Sequence, residues 1–217
     1  MLKQISLLIL CAVAIVLFAT PVHACTSAVV SGKVTLDGRP LLWKNRDTDF
    51  MRNHVDYVKG ERYDFIAVVN SANAYLKEAW MGTNSAGFAL MNTQSYNLVD
   101  VKGDEERGAA NGRVIYRALE VCATVEDFCH FLDTISKPSD IEANFGVIDA
   151  QGGAAMFEVD YYKYVMYDAN NPKDAPYGYI ARTNFSFAGK VNEGAGYVRY
   201  MEADQVLMKA SATGNIT

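Results

Sequence analysis

Histidine is scarce in this sequence, three residues in 217, and several enzyme vocabularies are missing with it. No His-Glu-x-x-His segment is present, so a zinc-protease helix is excluded, and three histidines leave too few ligands for other zinc chemistry. The lack of a Cys-x-x-Cys pair argues against a zinc ribbon or a thioredoxin-type redox centre. No glycine-rich loop ends in Gly-Lys-Ser/Thr, and no Gly-x-Ser-x-Gly elbow occurs, which removes phosphate-cradling loops and serine hydrolases of that type. Positive charge is also short: 20 basic against 25 acidic residues give a net charge of −5, which offers nucleic acid or an anionic membrane no footprint. Repeats and low-complexity tracts are absent. One core of ordinary soluble composition is expected, with no cofactor and no metal. An oligomer of identical chains is compatible with that composition.

Long apolar runs are missing too, and the one that exists is short. Ile5 to Ala19 is apolar over 15 residues, against the about 20 that a spanning helix needs. With Lys3 before it and Val22 and Ala24 at the −3 and −1 positions of "TPVHA", Met1–Ala24 reads as a secretory signal peptide. Cleavage after Ala24 would make Cys25 the first residue and place the protein outside the cytoplasm, in a periplasm or the extracellular space. Residues 25–217 then form the working domain.

Four cysteines become three once Cys11 leaves with the leader. An odd number in an exported chain leaves at least one thiol unpaired. Cys122 and Cys129 stand seven apart in a helical pattern, roughly 10 Å, too far for a disulfide. They read as buried helix cysteines. Cys25 is the odd one out.

Beyond Cys25 the pattern is sheet-rich. "TSAVVSGKV" and "PLLWKNRD" read as two strands joined at the Asp-Gly turn of "TLDGRP". "YDFIAVVNS", "YLKEAWMG" and "GFALMNTQS" read as three more, followed by a polar loop over 98–111. From Gly112 the period becomes helical, with Val114, Ile115, Ala118, Leu119 and Cys122 on one face. Thr124 and Asp127 form a capping-box pattern that opens a second helix to about Ile135. "NFGVIDA", "AAMFEVD", "YKYVMYD" and "YIARTNFSF" read as strands, and 196–210 as a last helix. Strands, helices, strands, helix in that order predict an α+β layered domain with two sheets and helices outside them.

A cysteine at a new chain end carries its own base. The α-amine, with a pKa of about 7.7–8.0, nearly matches a thiol at about 8.5, so it can take the thiol proton directly or through one water. While Cys25 is joined to Ala24 its nitrogen is an amide with no basic lone pair. Cleavage is the activating event. His54 has no cysteine assigned beside it, and His130, inside "FCHFL", reads as a packed or edge residue.

"CTSAVVSGKVTLDGRPLLWKNRDTDF" resembles the start of N-terminal-nucleophile hydrolases that cut linear amides. It is most similar to the acyl-coenzyme A:6-aminopenicillanic acid acyltransferase-like group, with choloylglycine hydrolases and penicillin V acylases as relatives. "AGFALMNT", "YIARTNFS" and "GYVRYMEA" follow in the same order. The resemblance implies a four-layer αββα sandwich, and Cys25 as the nucleophile forming a thioester with a small amide substrate. Asp47 would orient the α-amine, Asn92 (backbone N–H) and Asn184 (side-chain amide) would stand at the oxyanion, and Arg199 would support the site. Relatives often place an arginine three residues before the aspartate. Alignment on Asp47, which is preferred, puts Lys44 there, whereas a slide of two pairs Arg46 with Asp49; the cation near the thiol stays unassigned. Relatives also continue past the arginine helix with further strands, so the family domain is expected to be incomplete at its C-terminus.

Two other readings compete. "VHAC" approaches the cleavage box of a lipoprotein, in which Cys25 would be acylated and the protein held on a membrane as a binding module. His23 fits that box poorly, and a strand follows at once where a flexible tether is expected. A secreted N-terminal-cysteine dipeptidase shares the Cys-Thr opening but not the later blocks. Phe50, Tyr57 and Tyr96 read as core or loop packing, with a pocket wall as the alternative.

Overall fold

Among the described residues, period-two segments with one or both faces apolar account for ten strands in two antiparallel sheets. The structure, a computed structural model, describes residues 25–99 and 108–217. The leader read over 1–24 lies outside these residues, as does the middle of the 98–111 loop. Strand β1 (Thr26–Val30) is buried along its whole length because it is the middle of a three-stranded sheet, between β10 (Tyr179–Arg182) and β2 (Leu41–Asn45). Its register with β2 runs from Thr26 opposite Asn45 to Val30 opposite Leu41. The second sheet holds seven strands in chain order: β3 (Asn53–Val58), β4 (Phe65–Asn70), β5 (Met81–Asn84), β6 (Ala89–Gln94), β7 (Ala143–Ile148), β8 (Ala154–Val159) and β9 (Tyr164–Asp168).

Alternation along the central strands divides the core in two. Leu90, Phe145, Val147 and Phe157 face helices α1 (Asn111–Val121) and α2 (Val125–Thr134), together with Ile115, Leu119, Phe128 and Leu132. Met91 and Met156 face the other way, onto Val29 and Ile180 of the smaller sheet. Helix α3 (Tyr197–Ser211) covers the far side of that sheet, against β10 and β1. The layers are helix, sheet, sheet, helix, so the fold is an α+β sandwich of the αββα kind. Phe128 centres the outer core, its ring 5.0 Å from Phe157 and 5.9 Å from Phe145. The sheets approach closely at Gly146, where a Cβ would lie 2.6 Å from Met91 Cε and 2.9 Å from Val29 Cγ2.

The helix starts follow local chemistry. Thr124 Oγ1 accepts from Asp127 N (3.0 Å) and Asp127 Oδ2 from Thr124 N (3.1 Å), closing the box that opens α2. Cys122 ends α1 in an extended conformation, so it and Cys129 sit in different elements and not on one continuous helix. Both are unpaired.

Three local readings need correction. The first strand stops at Val30, and Gly32–Val34 is a 3₁₀ turn, so the β1–β2 connection is longer than a tight hairpin. "YLKEAWMG" is mostly not strand: Ala74–Leu76 is a 3₁₀ turn, Lys77 is left-handed (φ 54°), and pairing with β4 begins only at Met81. Strand β3 was not anticipated, because as an edge strand it is largely exposed and its mixture of polar and apolar residues carries little pattern.

Candidate active site

Cys25 stands at the head of β1, at the wall of a cavity of about 540 Å³ that opens where β2, β6 and the segment after β10 converge. Asp47, Asn92, Asn184, Lys44 and Arg46 line the same cavity. Of the residues given a catalytic role from the resemblance, Arg199 alone does not line it; the arginine holds the site from behind. Its Nη1 donates to the carbonyl oxygen of Cys25 and to Thr26 Oγ1 (3.1 Å), and its Nη2 donates to Asn184 Oδ1 (2.9 Å). Gly196 makes room for this: it opens α3 at φ +89°, and a Cβ there would fall 2.5 Å from Arg199 Nη2.

Asn184 is fixed at both ends. While Oδ1 accepts from Arg199, Nδ2 donates to the carbonyl of Gln94 (2.9 Å), which leaves one amide hydrogen for another acceptor. The segment that carries it is pinned to the large sheet by a buried polar network. Asn144 Nδ2 donates to the carbonyls of Thr183 and Phe185 (both 3.1 Å), and Ser186 Oγ donates to Asn144 Oδ1 (2.5 Å). Beside it, Glu158 Oε1 lies 2.6 Å from Arg182 Nε in an ion pair almost wholly out of water, and the same carboxylate accepts from the backbone N–H groups of Phe187 and Ala188.

Asn92 owes its position to where a ladder ends. Asn84 N donates to Phe88 O, so alternate rungs direct Leu90 and Asn92 toward β5. The last β5–β6 pair is Met81 with Met91, one rung short of Asn92. Trp80, the residue next in register, gives its carbonyl to Lys44 Nζ instead (2.9 Å). Among the described residues nothing accepts from the Asn92 N–H.

Both candidate cations reach the site: Lys44, on β2, and Arg46, one residue past its end, both line the cavity. Lys44 Nζ also donates to Asn92 Oδ1 (3.1 Å). Burial brings Lys44 down from 10.5 to about 8; the Cys25 sulfur opposes that shift and the Arg46 charge adds to it. Arg46 donates to Asn53 Oδ1 and Asn70 Oδ1 (2.8 Å for the latter), lies 5.2 Å from the Trp80 ring, and is lowered by burial against the pull of Cys25. The Asp47 side chain is exposed at the cavity wall, and the Asp47 carbonyl accepts from the Cys25 thiol at 3.7 Å.

The other cysteines stand apart. Burial pushes the Cys122 thiol up to about 12 and raises that of Cys129, so both are held as thiols at neutral pH. His54 and His130 are exposed and neither lines the cavity. No group of three or more His, Cys, Asp or Glu among the described residues could hold a metal ion. Phe50 and Tyr96 line the cavity, whereas Tyr57 lies on β3 and donates to Asp64. Trp80, Asn70, Gln94 and Arg113 also line it and were not singled out. Gln94 was within reach, two places along the strand from Asn92, but Trp80 sits in a segment misread as strand.

The layered fold, with a cysteine at the head of a central strand, is that of the N-terminal-nucleophile hydrolases. Within that class the chain belongs to the acyl-coenzyme A:6-aminopenicillanic acid acyl-transferase family, whose sequence profile matches residues 35–201. Among solved structures it is similar to a Caenorhabditis elegans ortholog of N-acylethanolamine-hydrolyzing acid amidase, at 15% identity over 88% of this chain and 85% of that one (TM-score 0.60). It is also similar to a variant of conjugated bile acid hydrolase from Clostridium perfringens, at 14% identity over 84% of this chain (TM-score 0.51). The chain spans 57% of the length of that hydrolase. At such identities the likeness is one of fold. No curated protein matches the sequence.

Proposed function

We propose that this chain is an exported amidohydrolase that uses Cys25 as nucleophile once its leader is removed. What carries the reading is the convergence, in one cavity, of Cys25 with the unpaired N–H of Asn92 and the half-used amide of Asn184. The freed α-amine takes the Sγ proton as the sulfur attacks the amide carbonyl, and the oxyanion forms between those two donors. The ammonium returns its proton to the leaving amine, the C–N bond breaks, and a thioester remains. Water then attacks the thioester, the sulfur leaves, and a carboxylic acid departs. Asp47 orients the α-amine, and Arg199 fixes the Cys25 carbonyl so that amine and thiol share one geometry.

Water is the better acyl acceptor outside the cell, where acyl-coenzyme A is not expected; an amine acceptor would make the same thioester chemistry an acyl transfer. The test is to express the full chain in an exporting host, determine the mass of its N-terminus, and screen an amide panel beside Cys25→Ala. A free Cys25 and activity lost in the variant support the reading. Turnover that survives Cys25→Ala, or a lipid mass on Cys25, overturns it. Hydrolysis of dipeptides but not N-acyl amides would move the substrate to the dipeptidase alternative.

A further inference from the structure

Asn92 and Asn184 come from different sheets. Asn92 belongs to β6 of the large sheet, and Asn184 lies two residues past the end of β10 in the small one. No single ladder fixes their separation, and the apolar contact between the sheets is non-directional. Directional bonds cross the gap beside them. Thr93 Oγ1, next to Asn92, donates to the carbonyl of Thr183, next to Asn184 (2.9 Å). Asn144 stands opposite Thr93 in the β6–β7 register. Its Nδ2 lies 3.2 Å from Thr93 Oγ1 and 3.1 Å from the carbonyls of both Thr183 and Phe185, so its two hydrogens are shared among three acceptors. The carbonyl between those two, that of Asn184, accepts from Ala195 N on the other side (3.1 Å). Asn144 therefore takes the place of a neighbouring strand's N–H groups and grips the chain on either side of Asn184. Thr93, Asn144 and Thr183 are fully buried, so water replaces none of these bonds when one is lost.

On the reading of Cys25 as nucleophile, we propose that Thr93 and Asn144 are positioning residues. Together they set the distance between the Asn92 N–H and Asn184 Nδ2, so that both donors reach one oxyanion. Neither residue lines the cavity, and neither touches the reacting atoms. Asn184 Nδ2 also spans the gap, to the Gln94 carbonyl (2.9 Å), and Arg199 holds its Oδ1. Those two bonds orient the side chain; Thr93 and Asn144 place the main chain that carries it.

The test uses the full chain processed in an exporting host, with Thr93→Val, Thr93→Ser and Asn144→Leu beside the wild type. p-Nitrophenyl butyrate is the probe, an acyl donor reactive enough to acylate Cys25 whichever amide is native. Turnover is counted per folded molecule by near-ultraviolet circular dichroism. Thr93→Val keeps the side-chain volume, and so decides the matter if Asn144→Leu does not fold. It should lower kcat about tenfold with KM within about threefold, less than the 10²–10³ of removing a donor outright because this donor is only misplaced. Thr93→Ser, which keeps the hydroxyl, should return kcat to within about threefold of wild type. Alkylation of Cys25 by iodoacetamide forms no oxyanion, and its rate should stay within about twofold in every variant. Placed in an Asn184→Ala background, Thr93→Val should cost less than about twofold more, since no spacing is left to set. A kcat within twofold of wild type in Thr93→Val, a loss confined to KM, or the full tenfold cost repeated in the Asn184→Ala background overturns the proposal while leaving Cys25 as nucleophile. Turnover of the ester that is equal in wild type and Cys25→Ala overturns the nucleophile reading itself.

Discussion

Arg199 and Cys25 are 174 positions apart in sequence, yet the guanidinium of one donates to the carbonyl of the other. The bond joins helix α3 to the head of β1 across the smaller sheet. Because the same guanidinium holds Asn184 Oδ1 at 2.9 Å, a single side chain sets the spacing between nucleophile and amide donor. Arg199→Ala should lower kcat/KM by about 10²-fold, the order expected when a reacting group is misplaced by roughly an ångström. Lys at 199, which lacks the two-nitrogen fork, should recover little of the loss. Steady-state kinetics with a thermal melt of each variant checks this; a loss of activity that tracks the loss of folded protein would count against it.

Asn184→Ala removes the Nδ2 donor and leaves Arg199 Nη2 without its acceptor. A fall of about 10²–10³ in kcat, with KM little changed, is expected for one oxyanion donor. A change confined to KM would assign Asn184 to substrate binding.

The Arg182–Glu158 pair has side-chain exposures of 3% and 0%. Glu158→Ala leaves a buried guanidinium without its partner and the N–H groups of Phe187 and Ala188 without an acceptor. The variant should lose about 3–5 kcal/mol in urea unfolding. A loss below about 1 kcal/mol would mean that Arg182, stacked 3.8 Å from the centre of the Phe187 ring, is satisfied by that contact.

Lys44 also gives stability a pH dependence of definite sign. Unfolding returns its value from about 8 to 10.5. Between those values the unfolded chain binds a proton that the folded chain has released, so the contribution of this residue to stability rises with pH across that interval, by up to about 3 kcal/mol. Arginine at 44 stays charged in both states. The stability of wild type relative to Lys44→Arg should therefore increase between about pH 7.5 and about pH 10 in urea titrations. A flat difference would show that the ammonium is better solvated than its burial implies.

Much of the architecture was legible because local and global signals agreed. The 3.6-residue period from Val114 to Leu119 gave α1 its buried face, and Thr124 with Asp127 opened α2 by chemistry that needs no tertiary context. Edge strand β3 and the turn at Ala74–Leu76 were not legible, since neither buries a regular face. In the site, it was the resemblance to the family, through motifs in the same order, that brought Cys25, Asn92, Asn184 and Arg199 forward. It did not decide between Lys44 and Arg46: both line the cavity, and only the folded chain shows what each donates to. That Asp47 meets the thiol through its carbonyl, with its carboxylate exposed, is equally invisible to sequence.

The early end of the β5–β6 ladder has an evolutionary corollary. A hydrogen-bond donor supplied by the main chain is indifferent to which side chain sits at that position, and short of proline no single codon change at 92 erases it. What can silence it is a neighbour: a β5 that runs one residue longer and brings the Trp80 carbonyl into register with it. Variation that abolishes this donor should accordingly be sought in the segment leading into β5 before 92.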